Sequence, residues 1–245
     1  MVGGCAMNDE LTSVDGVSRR TVLKTGAAGT GVVALSGAAT ADDHGTATDT
    51  RKEENEVSEE IITQTADVLG QDPDREVVAE DGAALYRTDD ALVTELTMPT
   101  PVPGEYTYAS EPPEREGEWW TDEPGELEAF TLWVLTFNEP EECEGGVGEC
   151  GGDDLGEPAG GGGFGVDGAI PTGDQLTMNG VVTTETEVFE NGDPIGVSLE
   201  RPLEAEVHVA VAPHGAFDPN MMPEILETPV SPPDVWWTAF FDPPA

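Results

Sequence analysis

An alternation of apolar and polar residues with a period of two recurs along the chain from residue 83 onward. It is seen in "AALYRTDDALVTELTMP", "AFTLWVLTF", "QLTMNGVVTTETEVF", "EAEVHVAVA" and "DVWWTAFF", which are separated by stretches rich in Gly, Pro, Asn and Asp. A strand points successive side chains to opposite faces, whereas a helix needs a period near 3.6, so these segments are predicted as strands. About six short strands with long polar connections favour an all-β domain, either an antiparallel β-sandwich or a barrel-like domain.

Two stretches interrupt the strand pattern within the predicted domain, which spans residues 83–245. Residues 110–128 are rich in Glu and Pro and separate a Pro-Gly turn from the strand at Phe130, so we predict an insertion there. Residues 157–174 are too rich in Gly for the interior of a strand, and we predict a mobile loop.

The segment before the predicted domain has a different pattern. In "SEEIITQTADVLG" the apolar residues fall near one face of a helix, with Ser58 placed to cap its start and Gly70 placed to end it. We therefore predict one short helix and a linker over residues 57–82. Residues 42–56 have no apolar side chain larger than that of Ala, so they cannot offset the entropy cost of ordering. We predict a disordered acidic N-terminal tail there.

The N-terminus has the pattern of an export signal. Arg19 and Arg20 precede an apolar run rich in Gly and Ala, which ends in a small-x-small cleavage site at Ala41. This arrangement predicts a twin-arginine (Tat) signal peptide over residues 1–41, export by the Tat translocase, and a secreted, extracellular protein. The run is weakly apolar and short for a bilayer span of about 20 residues. We expect no stable membrane insertion, with a retained anchor as the alternative.

Acidic residues outnumber basic ones along the whole chain. With 51 Asp and Glu against nine Lys and Arg, the formal net charge is −42, and it stays −42 without residues 1–41, which hold three residues of each sign. Such a charge drives a compact state apart in dilute buffer, whereas molar salt shortens the screening length to about 3 Å. We interpret the spread of carboxylates as adaptation to a salt-rich solvent, typical of a halophilic protein. It makes nucleic acid and anionic membranes poor partners, because few basic residues could neutralise phosphates, and we predict no nucleic acid partner.

Cys143 and Cys150 are the cysteines that follow the predicted signal, since Cys5 lies within it. A structural zinc site needs four N or S ligands, and a redox motif has two residues between its cysteines, whereas six separate these two. An even number of cysteines in an exported chain favours a disulfide. Closing this loop stabilises the fold by about 2.5 kcal/mol in the chain-entropy model.

The stretch around the cysteines, residues 141–157, also carries seven carboxylates. A disulfide would hold several of these oxygens together, which suits a hard cation such as Ca²⁺. The Asp-x-Asp-x-Asp-Gly spacing of a known calcium loop is missing, however, and any loop of so acidic a chain carries carboxylates. A solvated acidic loop is the main interpretation and calcium (Ca) the alternative; no other cofactor is predicted.

Two histidines lie in "EVHVAVAPHG". On a strand that starts at Glu206, His208 shares a face with Glu206, and the valines between and after them face the core. His214 follows Pro213, so we place it in the next turn. A six-residue offset along an extended strand spans about 20 Å, which disfavours a shared metal ion. Both are interpreted as structural or surface residues, with a metal site of His208, His214 and Glu206 as the alternative.

Two pairs of adjacent tryptophans lie where polar residues are expected: Trp119 and Trp120 in the insertion, and Trp236 and Trp237 near the C-terminus. Successive strand residues face opposite sides, so one of Trp236 and Trp237 is predicted in the core and the other on the surface. An exposed Trp can stack on a sugar ring or a partner protein, which makes all four candidate binding residues. The alternative for the first pair is that it pins the insertion onto the domain.

Three segments carry a resemblance to a known family: "RTDDALVTEL", "TLWVLTFNEPEEC" with the later "CGGDDL", and "AEVHVAVAPHG". They resemble the landmarks of a family of small exported bacterial and archaeal proteins of no assigned activity. These landmarks are an Arg-Thr-Asp strand, a Trp strand ending in Phe-Asn-x-Pro-Glu, a Cys…Cys-Gly-x-x-Asp-Leu loop and a late His-Gly. The resemblance covers roughly residues 83–218, with the acidic insertion and the terminal tryptophans as departures. It implies a haloarchaeal-type member and an architecture, and it transfers no catalytic residue.

The sequence offers no assembled catalytic constellation. It contains no Gly-x-Ser-x-Gly motif, and a catalytic pair of carboxylates cannot be distinguished among so many acids. The leading hypothesis is therefore an exported, salt-adapted β domain that acts as a binding or structural module, with a surface protein or a glycan as its partner. The alternative is a metal-dependent enzyme or metal carrier that uses His208 or His214 with nearby carboxylates.

Overall fold

The computed structural model describes residues 61–71, 74–107, 124–191, 193–220 and 236–245. The predicted signal peptide, the predicted tail and most of the predicted insertion, with Trp119 and Trp120, lie outside the described residues. Within the described ranges, no helix is long and apolar enough to cross a membrane.

The described residues form an all-β barrel, which confirms the predicted fold class. Eight strands make one antiparallel sheet in the order β5-β4-β9-β10-β1-β2-β3-β6, and the sheet curls into a nearly closed barrel, while β7 and β8 form a separate two-stranded ribbon. The strands are β1 Ile62–Leu69, β2 Val77–Arg87, β3 Ala91–Pro99, β4 Glu128–Phe137, β5 Gly161–Ala169, β6 Gln175–Thr183, β7 Glu190–Asn191, β8 Asp193–Pro194, β9 Glu206–Ala216 and β10 Trp237–Phe241.

The barrel has a seam where β5 and β6, the two ends of the sheet order, meet. Side chains connect the two strands there. The backbone N–H of Asn179 donates to Asp167 Oδ2 (3.0 Å), and the side chain of Val166 lies over Gly180. Gly180 leaves the space that Val166 occupies, so a larger residue at this position would open the seam.

The predicted short helix and linker over residues 57–82 are wrong for their described part. Residues 62–69 form β1, which pairs with β2, and residues 77–82 already belong to β2. The physical reason is that β-branched residues at positions 62, 63, 65 and 68 favour an extended backbone. Two ladders also flank β1, because β10 lies on its other side. The barrel therefore begins at Ile62 and not at residue 83.

The predicted mobile loop over residues 157–174 is also wrong in its central part, which forms β5. Glycine is needed here because other segments approach the strand closely. A side-chain carbon at Gly162 would collide with the carbonyl oxygen of Val197, and one at Gly161 with the carbonyl oxygen of Asp154. Glycine-rich sequence in this strand thus reflects close backbone approach and not mobility.

Apolar side chains fill the barrel interior, and two smaller clusters lie outside it. One contains Trp133, Ala210, Ala212 and Trp236, with Phe189 and Ile195 packed against them. The other contains Leu135, Phe137, Cys143, Cys150 and Ala159. Every residue of β4 is buried, and so is nearly all of β9, because the segments 138–160 and 186–197 lie over their outer side. We call this outer side the covered face.

Candidate functional site

A disulfide joins Cys143 and Cys150, as the sequence predicts (S–S 2.02 Å, Cα–Cα 5.2 Å). Both cysteines are buried against Phe137 in the second outer cluster. The backbone N–H groups of Glu144 and Gly151 donate to the two carboxylate oxygens of Asp154 (2.8 Å each). One carboxylate of the acidic stretch therefore holds the loop together through backbone amides.

The described residues contain no group of three or more His, Cys, Asp or Glu that could hold a metal ion. The described residues therefore provide no set of ligands for calcium at residues 141–157, and none for a metal at His208, His214 and Glu206. Both stay hypotheses from sequence.

Glu206 and His208 share one side of β9 on the covered face, and the valines that alternate with them lie in the barrel core. His208 Nε2 donates to Glu206 Oε1 (2.8 Å), and the N–H of Gly148 donates to Glu206 Oε2 (2.6 Å). The His208 ring packs between Phe137 and Phe240, with centroids 5.1 and 4.6 Å away. Because both side chains are nearly inaccessible, at 1% and 4% exposure, this pair anchors the disulfide loop and does not face solvent.

His214 lies within β9, so the predicted turn after Pro213 is wrong. Pro213 lies opposite Phe130 at a register shift between Glu128 and Phe130, which is where a strand tolerates a residue without an N–H. His214 Nε2 is hydrogen-bonded with the hydroxyl of Thr131 (2.7 Å), and its Nδ1 has no partner. Complete burial lowers the pKa of His214 to about 3, so the ring is neutral at physiological pH.

We expect His214 to make the folded state sensitive to acid. Its folded pKa lies below the ordinary value of 6.5, so the stability it contributes is present above pH 6.5 and is lost as the pH falls towards 3. In molar salt, urea unfolding should show a loss of about 3 kcal/mol between pH 6.5 and pH 4 relative to His214→Gln. Glu128, whose pKa burial raises, contributes in the opposite sense and is common to both proteins. Parallel pH curves for the two proteins would contradict this assignment.

Arg87 is a buried charge that the sequence analysis did not single out. Its side chain is completely buried at the end of β2. Nη1 donates to the carbonyls of Pro202 and Ala205 (2.8 Å each), Nε donates to Gln64 Oε1 (2.7 Å), and Nη2 reaches the carbonyl of Asp242 (3.4 Å). Desolvation lowers its pKa to about 10, so it stays charged at neutral pH. One guanidinium thus ties two distant segments to β2.

Asn138, which directly follows β4, makes a similar connection. Its Nδ2 donates to the carbonyls of Gly160 and Ser198 (2.9 Å each), and its Oδ1 accepts from the N–H of Glu200 (2.8 Å). The next residue, Glu139, forms an ion pair with Arg201. This pair is more than one-third exposed, so it adds little to stability. Asn138 is the stronger link between the disulfide segment and residues 198–201.

Trp236 and Trp237 are both buried, so the prediction that one of them is on the surface is wrong. Trp237 lies in the barrel interior, with its ring 5.1 Å from Tyr106 and 6.1 Å from Phe130. Trp236 points the other way, as strand alternation requires, but there it packs on Trp133 (5.9 Å) in the first outer cluster. Trp237 is therefore buried by the barrel interior, and Trp236 by the first outer cluster.

Two open hollows of similar volume lie on the described surface. The first, of about 380 Å³, lies beside the start of β2 and the end of β3 and is lined by Glu80, Asp81, Glu95 and Thr97 among others. The second, of about 360 Å³, lies where β5 borders the segment after β6. Its lining consists of Phe164, Gly165, Thr186, Glu187, Val188, Phe189 and Glu190.

Comparison of the chain with protein-family models, with curated proteins and with solved structures found no match to any of them.

Proposed function

We propose that this chain is an exported, salt-adapted β-barrel module that acts by binding or as a structural element at the cell surface or in the medium. The observation that carries the proposal is the position of its buried polar groups. Arg87, Asn138, Glu206 and His208 each connect a loop or terminal segment to the barrel. None of them lines either of the two hollows described above. They stabilise an architecture and do not converge on a substrate.

Export is the part of the proposal that rests on the twin-arginine signal, and the buried disulfide is consistent with it. Replacing Arg19 and Arg20 together with Lys should retain the protein inside a cell that has a twin-arginine pathway. Arg51→Lys with Arg75→Lys is the matched control, because it makes the same exchange downstream of the signal. Immunoblots of cells and medium measure the distribution. Equal secretion of both variants would contradict the proposal that the protein is exported by the twin-arginine route.

The alternative, a metal-dependent enzyme or metal carrier, draws its support from the Glu206 and His208 pair. Elemental analysis of protein purified in molar salt separates the two functions. We expect no transition metal at one equivalent, and we expect His208→Ala to lower the unfolding temperature because it leaves Glu206 buried without this donor. A stoichiometric metal that is present in the wild type and lost in His208→Ala would establish the alternative. Thr177→Ala, at an exposed strand position, controls for substitution itself.

The partner class we propose is a surface protein or a glycan. Trp119 and Trp120 remain candidates for that contact from sequence, whereas the burial of Trp236 and Trp237 makes them unsuitable for it in the folded barrel. A screen of glycans and surface proteins in molar salt tests this part.

A further inference from the structure

The second hollow, which we call the seam hollow, combines an apolar base with an acidic rim. Phe164 belongs to the barrel core, and Val188 and Phe189 are half-buried beside it. The exposed residues Glu187 and Glu190 lie at its edge. The first hollow is also acidic and of nearly the same volume, but no aromatic residue lines it. The difference between the two is therefore the pair of phenylalanines in the lining and not the charge.

The wall of the seam hollow is held in place at both ends. Near its start, the Thr186 hydroxyl accepts from the N–H of Thr183 (2.8 Å). Near its end, the N–H of Phe189 donates to the carbonyl of Gly163 on β5 (2.9 Å), and the Phe189 ring packs edge-on against Trp133 (5.1 Å). A site whose walls are fixed before binding loses little conformational entropy when it is occupied.

Among the described residues, no cationic side chain lines the seam hollow. The described part of the chain contains three basic side chains, and each is engaged elsewhere: Arg75 over the Phe240 ring, Arg87 on backbone carbonyls and Arg201 with two glutamates. Glu187 and Glu190 thus present their charge towards solvent beside apolar surface. A cation that carries its own apolar body satisfies both features at once, and the half-buried Phe189 ring adds to its attraction.

We propose that the seam hollow binds an organic cation, namely an ammonium or guanidinium group attached to an apolar body. The volume of about 360 Å³ lies within the roughly 300 to 1,000 Å³ typical of small-molecule sites. The cation can be a free amine or the side chain of a Lys or Arg on a protein partner. This inference rests on the proposed binding function and names the ligand chemistry of one surface.

The test is calorimetric titration of the full chain in about 2 M KCl, where screening removes the long-range attraction of the acidic chain for any cation. The probes are benzylammonium, the neutral benzyl alcohol, the anionic benzoate and N-acetyl-arginine amide. Benzylammonium should bind about tenfold more tightly than benzyl alcohol, with benzoate weaker still. Binding of N-acetyl-arginine amide in the same series would identify a peptide as the source of the cation. If benzylammonium binds and N-acetyl-arginine amide does not, the source is a free amine.

Two variants with equal charge localise the site. Glu187→Gln with Glu190→Gln should lower benzylammonium affinity about tenfold, whereas Glu185→Gln with Glu200→Gln, which removes two exposed glutamates outside the lining, should leave it within about twofold. Benzylammonium should also shift the methyl NMR signals of Val188. Equal affinity for the cationic and neutral probes, equal losses in both variants, or shifts at Ala79 and Ala84 of the first hollow would each overturn the assignment. These outcomes do not depend on the metal analysis. The organic-cation site can therefore be disproved without disproving the proposed function, and the reverse also holds.

Discussion

Dialysis from about 2 M salt to about 0.01 M is expected to unfold or expand the barrel while the Cys143–Cys150 disulfide stays closed. The screening length grows from a few Å to about 30 Å over this range, so the repulsion within a chain of charge −42 is no longer suppressed. A domain of this size has a net stability of about 5 to 15 kcal/mol, which such repulsion can rival. The three arginines of the described residues each act locally and leave most carboxylates without a nearby counter-charge.

Circular dichroism and small-angle scattering measured along the salt series follow this transition. Acidification to about pH 4 at low salt should partly restore compactness, because it brings the carboxylates close to their ordinary pKa values and reduces the charge. The neutral His214 opposes this recovery as the pH falls from 6.5 towards 3, because over this range the unfolded chain binds a proton on the histidine that the folded state does not bind. Signals that stay flat between 2 M and 0.01 M salt would mean that the charge is tolerated for another reason, and the halophilic interpretation would be wrong.

Five of the eight barrel strands could be predicted from sequence. Alternation identified β3, β4, β6, β9 and β10, because each sends alternate residues into one continuous apolar interior. It failed for β1, where the side chain of Val68 is buried but the rest of the strand is partly or fully exposed, so the apolar residues also fit a helical stripe. It failed for β5 because the glycines there make room for the backbone of residues 154 and 197, and these contacts form only when the chain folds.

In the candidate site, too, features that depend on local sequence could be predicted, whereas features that depend on contacts with distant segments could not. The disulfide and the shared face of Glu206 and His208 depend on sequence separation and strand geometry, and the structure confirms both. The burial of Trp236 depends on the segment 186–197, which brings Phe189 and Ile195 to the first outer cluster from a distant part of the chain. The strand position of His214 depends on the pairing of β9 with β4, which is also distant in sequence. The alternation of apolar and polar residues predicts a strand with one buried and one exposed side. It cannot predict that both sides of a barrel strand are buried.

Arg87→Met is expected to destabilise the barrel by about 3 to 5 kcal/mol, because several hydrogen bonds of a charged group, each worth about 1.5 to 3 kcal/mol, are lost together. Met nearly matches the length of the aliphatic part of Arg, so little apolar packing is lost. The carbonyls of Pro202, Ala205 and Asp242, however, lose a charged donor inside the protein. Each buried acceptor left without a donor costs about 1 to 3 kcal/mol. Among the described residues, no carboxylate pairs with the buried Arg87. Its charge is instead stabilised because four of its five N–H groups donate to oxygen acceptors.

Arg75→Met is the matched control, because it removes the same charge from an exposed side chain that lies 5.1 Å from the Phe240 ring centre. We expect it to lower the free energy of unfolding by no more than about 1 kcal/mol. Urea unfolding in about 2 M KCl compares the two variants without changing the ionic strength.

The stability of Arg87→Lys should fall between those of Arg87→Met and Arg75→Met, since an ammonium group keeps the charge but lacks the planar fork that reaches several carbonyls at once. If Arg87→Met unfolds at the same urea concentration as Arg75→Met, the interior guanidinium does not hold the C-terminal segment and residues 202–205 to β2. Loss of stability in Arg87→Met alone, with Arg87→Lys intermediate, would show that hydrogen-bond geometry at this end of the barrel matters in addition to charge.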